Sequence, residues 1–155
     1  MKGIAWAAAL LWVAAAATAH AAGASLPKGY EKWDMSKEKV IADKNSLFYG
    51  IHNIYVDKKA MAAYRKGGPY PEGSRFVVVQ HSIKDAGGKP TKGKRNMIVL
   101  MTKDKKQTAT GGWLFAGFTA EGKPSGVDTV KNCYECHLKE AGSRDLVISR
   151  YADFR

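Results

Sequence analysis

Cys133, Cys136 and His137 fall within five consecutive positions, Cys133-Tyr134-Glu135-Cys136-His137. The spacing is C-x-x-C-H, the pattern through which a c-type haem is attached. Each cysteine sulfur can add to a porphyrin vinyl group and form a thioether. The histidine follows at once, so local chain geometry delivers its imidazole to one axial position of the iron. Cys133 and Cys136 are therefore the expected anchors of one covalent haem c per chain, and His137 the expected metal ligand. What stands on the opposite axial side then decides between electron transfer and ligand binding.

Two rival uses of the cysteine pair fail on inventory. Structural zinc takes about four ligands, and beyond residue 21 the chain offers only these two cysteines with His52, His81 and His137. A thioredoxin-like C-x-x-C sits near the start of a βαβ domain, whereas this pair lies near the C-terminus. With both sulfurs committed to haem, no disulfide remains to staple the fold.

The N-terminus predicts export. Lys2 is a short positive region, residues 4–17 are apolar and alanine-rich, and Ala19-His20-Ala21 is an A-x-A cleavage site. Residues 1–21 read as a cleavable secretory signal peptide and residues 22–155 as a single monohaem cytochrome domain in the periplasm. The apolar run is short for a membrane span, so none is expected after cleavage. The net charge of +11 falls by one when Lys2 is removed. It reads as a solvated surface with no nucleic-acid role; steering of an acidic redox partner is its other use.

The elements that must position the motif are mostly strands. Period-two runs rich in β-branched and aromatic residues predict strands over 46–57, 74–83, 95–102 and 113–119. Residues 58–66 predict a short helix, with Asp57 as N-cap and Gly67-Gly68 as its stop. Pro27-Lys28-Gly29 and 69–73 predict turns, 87–93 a lysine-rich hairpin loop, and 146–151 a short final element. Tyr30 and Trp33 should cover a core edge. The motif falls in 127–140, at a helix start. The fold class is α+β and mainly β: a curved antiparallel sheet, a few short helices and a C-terminal c-type haem-binding segment. A late motif behind a sheet departs both from cytochromes with an early motif and a downstream methionine ligand, and from four-helix cytochromes.

This ordered set resembles the cytochrome P-460 family, and within it the cytochromes c′-beta, over roughly Pro27 to Arg155. The matching blocks are Pro27-Lys28-Gly29-Tyr30 with Trp33, Phe48, His52-Asn53-Ile54-Tyr55-Val56-Asp57, Glu72-Gly73-Ser74, Gly112-Trp113 and Asn132-Cys133-Tyr134-Glu135-Cys136-His137. The resemblance implies a homodimer. It also implies a test position: hydroxylamine-oxidising members carry a haem-cross-linked lysine a few residues into the strand after the Gly-Ser/Thr turn. That place aligns with Val78, and Arg75-Phe76-Val77-Val78-Val79-Gln80 contains no lysine. The chain thus looks like a gas-binding haem protein rather than a hydroxylamine oxidoreductase, with a distal side capped by phenylalanine.

Strand alternation puts Phe76, Val78 and Gln80 on one face and Arg75, Val77, Val79 and His81 on the other. If Val78 faces haem, as the resemblance implies, Phe76 does too, and Phe48 is the second cap candidate. Both rings are also ordinary core candidates. An apolar cap offers no donor to a polar iron–dioxygen unit and no sixth ligand. It favours five-coordinate iron that takes nitric oxide and carbon monoxide, in scavenging, transport or detoxification. The alternative is a small periplasmic electron-transfer cytochrome with a distal ligand from Met97, Met101 or His52. His52 otherwise reads as a hydrogen-bonded structural histidine. Arg75, Gln80 and Lys103 are candidates for the haem propionates or for proton supply.

Overall fold

Consecutive apolar residues in the central strands, Val77-Val78-Val79 and Ile98-Val99-Leu100, give both faces of one sheet apolar side chains. The computed structural model describes residues 23–154; the expected signal peptide lies outside them. Six strands run β1 (Asp34–Met35), β2 (Lys39–Ile41), β3 (Gly50–Val56), β4 (Arg75–Ala86), β5 (Lys89–Lys103) and β6 (Trp113–Thr119). They form one antiparallel sheet in the order β1-β3-β4-β5-β6, with β2 also on the outer edge of β3. The predicted mainly-β, α+β class holds. Among the described residues no helix is long and apolar enough to cross a membrane.

Three predicted elements differ. The strand expected over 46–57 begins only at Gly50, because residues 46–49 turn, with Tyr49 N bonded to Ser46 O at 3.0 Å. The loop expected over 87–93 is only a two-residue turn, and β5 starts at Lys89. Gly87 and Gly88 have φ of 66° and 83°, the left-handed pair whose twist matches a tight hairpin. The lysines that resembled a loop instead line an exposed two-stranded ribbon. The final element is a 3₁₀ turn at Tyr151–Phe154, later than the expected 146–151.

Helix α1 (Lys58–Tyr64) starts as predicted. Asp57 Oδ1 accepts from Ala60 N at 2.8 Å, and Oδ2 accepts from Arg75 Nε at 3.0 Å. Asp57 is buried while Arg75 is partly exposed, so the cap outweighs the ion pair in stability. Asp57→Ala should lower unfolding free energy by about 1–2 kcal/mol, and Asp57→Asn by much less. Urea denaturation of the two variants distinguishes them.

The sheet separates two cores. One face packs Tyr30, Val77, Val79, Ile98, Leu100 and Phe118, with Trp33 and Tyr55 at its margin. The other packs Val56, Phe76, Met101 and Phe115 beneath α1 and the C-terminal segment that carries Cys133.

Candidate functional site

Register decides what the second face can hold. Val56, Phe76, Met101 and Phe115 are cross-strand partners in one row over β3 to β6. All four are buried. The next row is Ile54, Val78, Val99 and Gly117, and the one after it His52, Gln80, Met97 and Thr119. The middle row is only half-buried, although buried residues flank it on both sides. It forms an apolar strip across the sheet with Val78 near its centre, and it carries neither a charge nor a side-chain hydrogen-bonding group.

The cysteine segment is brought to this face by a close approach. A Cβ at Gly117 would lie 2.6 Å from Ser125 Oγ and 3.4 Å from Val127 Cβ, so only glycine lets residues 125–127 lie down on β6. Ser125 N bonds Gly117 O at 3.0 Å. Asp128 then accepts from Val130 N and Lys131 N, both at 3.1 Å. These bonds start a π-helical turn (Val130–Tyr134) that runs into α2 (Glu135–Ala141). The motif therefore straddles a change of helical pitch, a feature frequent at functional sites.

That turn gives the two thiols different surroundings. Cys133 is buried in the aromatic core, Cys136 is exposed, and both are free. Burial pushes the Cys133 thiol up to about 11. The reactive species is the thiolate. At pH 8, haem-free protein should be alkylated by iodoacetamide at Cys136 well before Cys133, by about a hundredfold in rate or more. Peptide mass mapping over a time course checks this, and comparable rates at both sites would contradict it.

His137 follows on α2. Its Nδ1 lies 2.6 Å from Leu146 O. A carbonyl can only accept, so Nδ1 carries the proton and Nε2 keeps its lone pair. Burial lowers the imidazole pKa and so favours the neutral, ligating form. The Phe115 ring meets the imidazole edge-on, centroids 5.1 Å apart. The Leu146 carbonyl is a functional group that sequence reasoning missed, since a backbone acceptor leaves no side-chain signature.

The other site candidates divide. Phe76 is buried among three rings, with centroids 5.4 Å from Tyr64, 5.3 Å from Tyr70 and 6.1 Å from Trp113. Phe48 is half-buried on the turn before β3, 6.2 Å from the His52 ring. His52 is structural, with Nε2 donating to Phe48 O at 2.7 Å. Gln80 Nε2 donates to Tyr49 O at 3.1 Å and reaches Leu47 O at 3.4 Å. Three successive carbonyls of the Phe48 turn are thus tied to the face beneath. Arg75 pairs with Asp57 and lies over Trp33. Lys103 pairs with Asp145. Met97 and Met101 are both buried on the strip's side of the sheet. Among the described residues no three metal-ligating side chains cluster.

The donor set fits a haem. Two thiols sit three residues apart on a helical turn, a neutral imidazole has one nitrogen free, and a half-exposed apolar strip lies on the sheet face that this helical segment packs against. No curated protein matches the chain. The family model for cytochrome P460 matches residues 27–149, which takes in the strip, the cysteines and His137. The chain belongs to the cytochrome P460 family, and haem is the cofactor that membership implies.

Proposed function

We propose that the mature chain is a periplasmic monohaem cytochrome of the c′-beta type, with one haem c on Cys133 and Cys136 and His137 as its only protein ligand. It binds nitric oxide, and carbon monoxide as a surrogate, beneath an apolar distal cap, in nitric oxide scavenging, transport or detoxification. The observation that carries this reading is the row Ile54-Val78-Val99-Gly117. Val78 stands where hydroxylamine-oxidising relatives carry a lysine, and no residue of the row can donate a hydrogen bond or ligate iron.

Haem iron, when bound, supplies an open coordination position for a diatomic gas. The protein's part is orientation and exclusion. Leu146 O fixes the His137 tautomer and ring plane. A neutral carbonyl draws less proton density than a carboxylate would, so the imidazole stays a moderate donor. Phe48 limits access, Phe76 closes the aromatic core behind it, and the apolar strip gives dioxygen no polar partner. Association as a homodimer, and electron delivery by an acidic redox partner, belong to the same reading.

The optical spectrum of the ferrous protein at neutral pH tests it. A broad high-spin spectrum and hydroxylamine turnover near the free-haem background are expected. A sharp low-spin spectrum would support the electron-transfer alternative instead, with Met97 or Met101 as ligand, since both are buried on the same face.

A further inference from the structure

The turn that supplies Leu146 O has an uncommon backbone. Asp145 and Leu146 are consecutive non-glycine residues with φ of 50° and 65°; aspartate tolerates this left-handed region, and leucine rarely enters it. Such conformations persist where the surroundings over-determine them, and here they do. Asp145 Oδ1 accepts from Lys103 Nζ at 2.5 Å and from Trp113 Nε1 at 3.1 Å. Its Oδ2 accepts from Tyr70 N at 3.0 Å. The three donors come from the end of β5, the start of β6 and the segment before β4. Lys103 Nζ also lies 4.9 Å from the centroid of the fully buried Trp113 ring.

The next residue is gripped as well. Leu146 N donates to Ala141 O at 2.9 Å, at the end of α2, while Leu146 O takes the proton of His137 Nδ1 on the same helix. Its side chain packs so tightly that a Cβ at Gly111 would lie 2.9 Å from Leu146 Cδ1. The peptide that orients His137 is therefore held from the sheet by a carboxylate one residue away.

We infer that Asp145, paired with Lys103, is a positioning residue for the axial histidine: it locks the left-handed turn that presents Leu146 O to His137 Nδ1. The inference rests on the proposed axial role of His137. Loosening the turn lengthens that hydrogen bond, reduces the electron donation of the imidazole and weakens its bond to iron.

The test is resonance Raman spectroscopy of ferrous holoprotein, read at the iron–histidine stretching band. Asp145→Ala should move the band to lower frequency. Asp145→Asn, which tolerates the left-handed backbone and keeps one acceptor, should move it less. Lys103→Met substitutes neither Asp145 nor Leu146 but removes one donor that holds the turn, and should also lower it, so the test stands even if Asp145→Ala does not fold. Asp57→Ala, which removes a helix cap that bonds Ala60 and Arg75 and not the 145–146 turn, should leave the band unmoved. An unchanged band in Lys103→Met and Asp145→Asn, despite a lowered melting temperature, would reduce Asp145 to a structural tie and overturn the inference alone. Absence of the band from the wild-type protein would overturn the ligand reading and the inference together.

Discussion

The double variant Cys133→Ser/Cys136→Ser should release its haem completely on acid–organic extraction, whereas the wild-type protein should release none. The single variants should differ from one another. Cys136 is exposed, so Cys136→Ser should leave stability unchanged while removing one thioether. Cys133 is buried among Tyr70, Phe115 and Leu146 in the same cluster. A hydroxyl there must either find a partner or stay unsatisfied, at a cost of about 1–3 kcal/mol. Cys133→Ser should therefore lose stability as well as one link. Intact-mass measurement of exported protein, before and after extraction, reads haem retention; denaturation reads the asymmetry. Free haem extracted from wild-type protein would remove the covalent part of the proposal.

The legible parts of this molecule were those written in side-chain type. Alternation along 76–80 put Phe76, Val78 and Gln80 on one face, and the register across β3, β4 and β5 has them there. Asp57 was readable as an N-cap because its short carboxylate suits that role. The cysteine motif announced a haem without any fold. What escaped was backbone chemistry and long-range pairing. Leu146 contributes a carbonyl, which every residue has, and its left-handed turn has no glycine or asparagine to signal it. Lys103 looked like a candidate for propionates, and nothing local showed that Asp145 would meet it. The turn at 46–49 has the composition of a strand in Leu47, Phe48 and Tyr49. It is closed locally by Ser46, which accepts from Tyr49 N and Phe48 N, and is tied down by His52 and Gln80, side chains on the sheet itself.

Those same bonds make Phe48 the ring expected to control gas entry. Alternation with Val78 favours Phe76 for that role. In the structure Phe76 is buried and packs edge-on or tilted against Tyr64, Tyr70 and Trp113. Phe48 is half-exposed, and three carbonyls of its turn accept from His52 and Gln80. Displacing a ring of this kind costs about 1–2 kcal/mol, so Phe48→Ala should speed carbon monoxide association by roughly tenfold. The fold should barely notice. Phe76→Ala should instead lower stability by about 3–5 kcal/mol. Gln80→Leu, which frees two of the carbonyls while Phe48 remains, should raise the association rate part of the way. Flash photolysis of the carbon monoxide complexes, paired with thermal denaturation, orders the three variants. An unchanged rate in Phe48→Ala with a raised rate in Phe76→Ala would move the gate into the aromatic core. No change in either would leave the strip without a cap, and gas selection would then fall to the apolar row around Val78 alone.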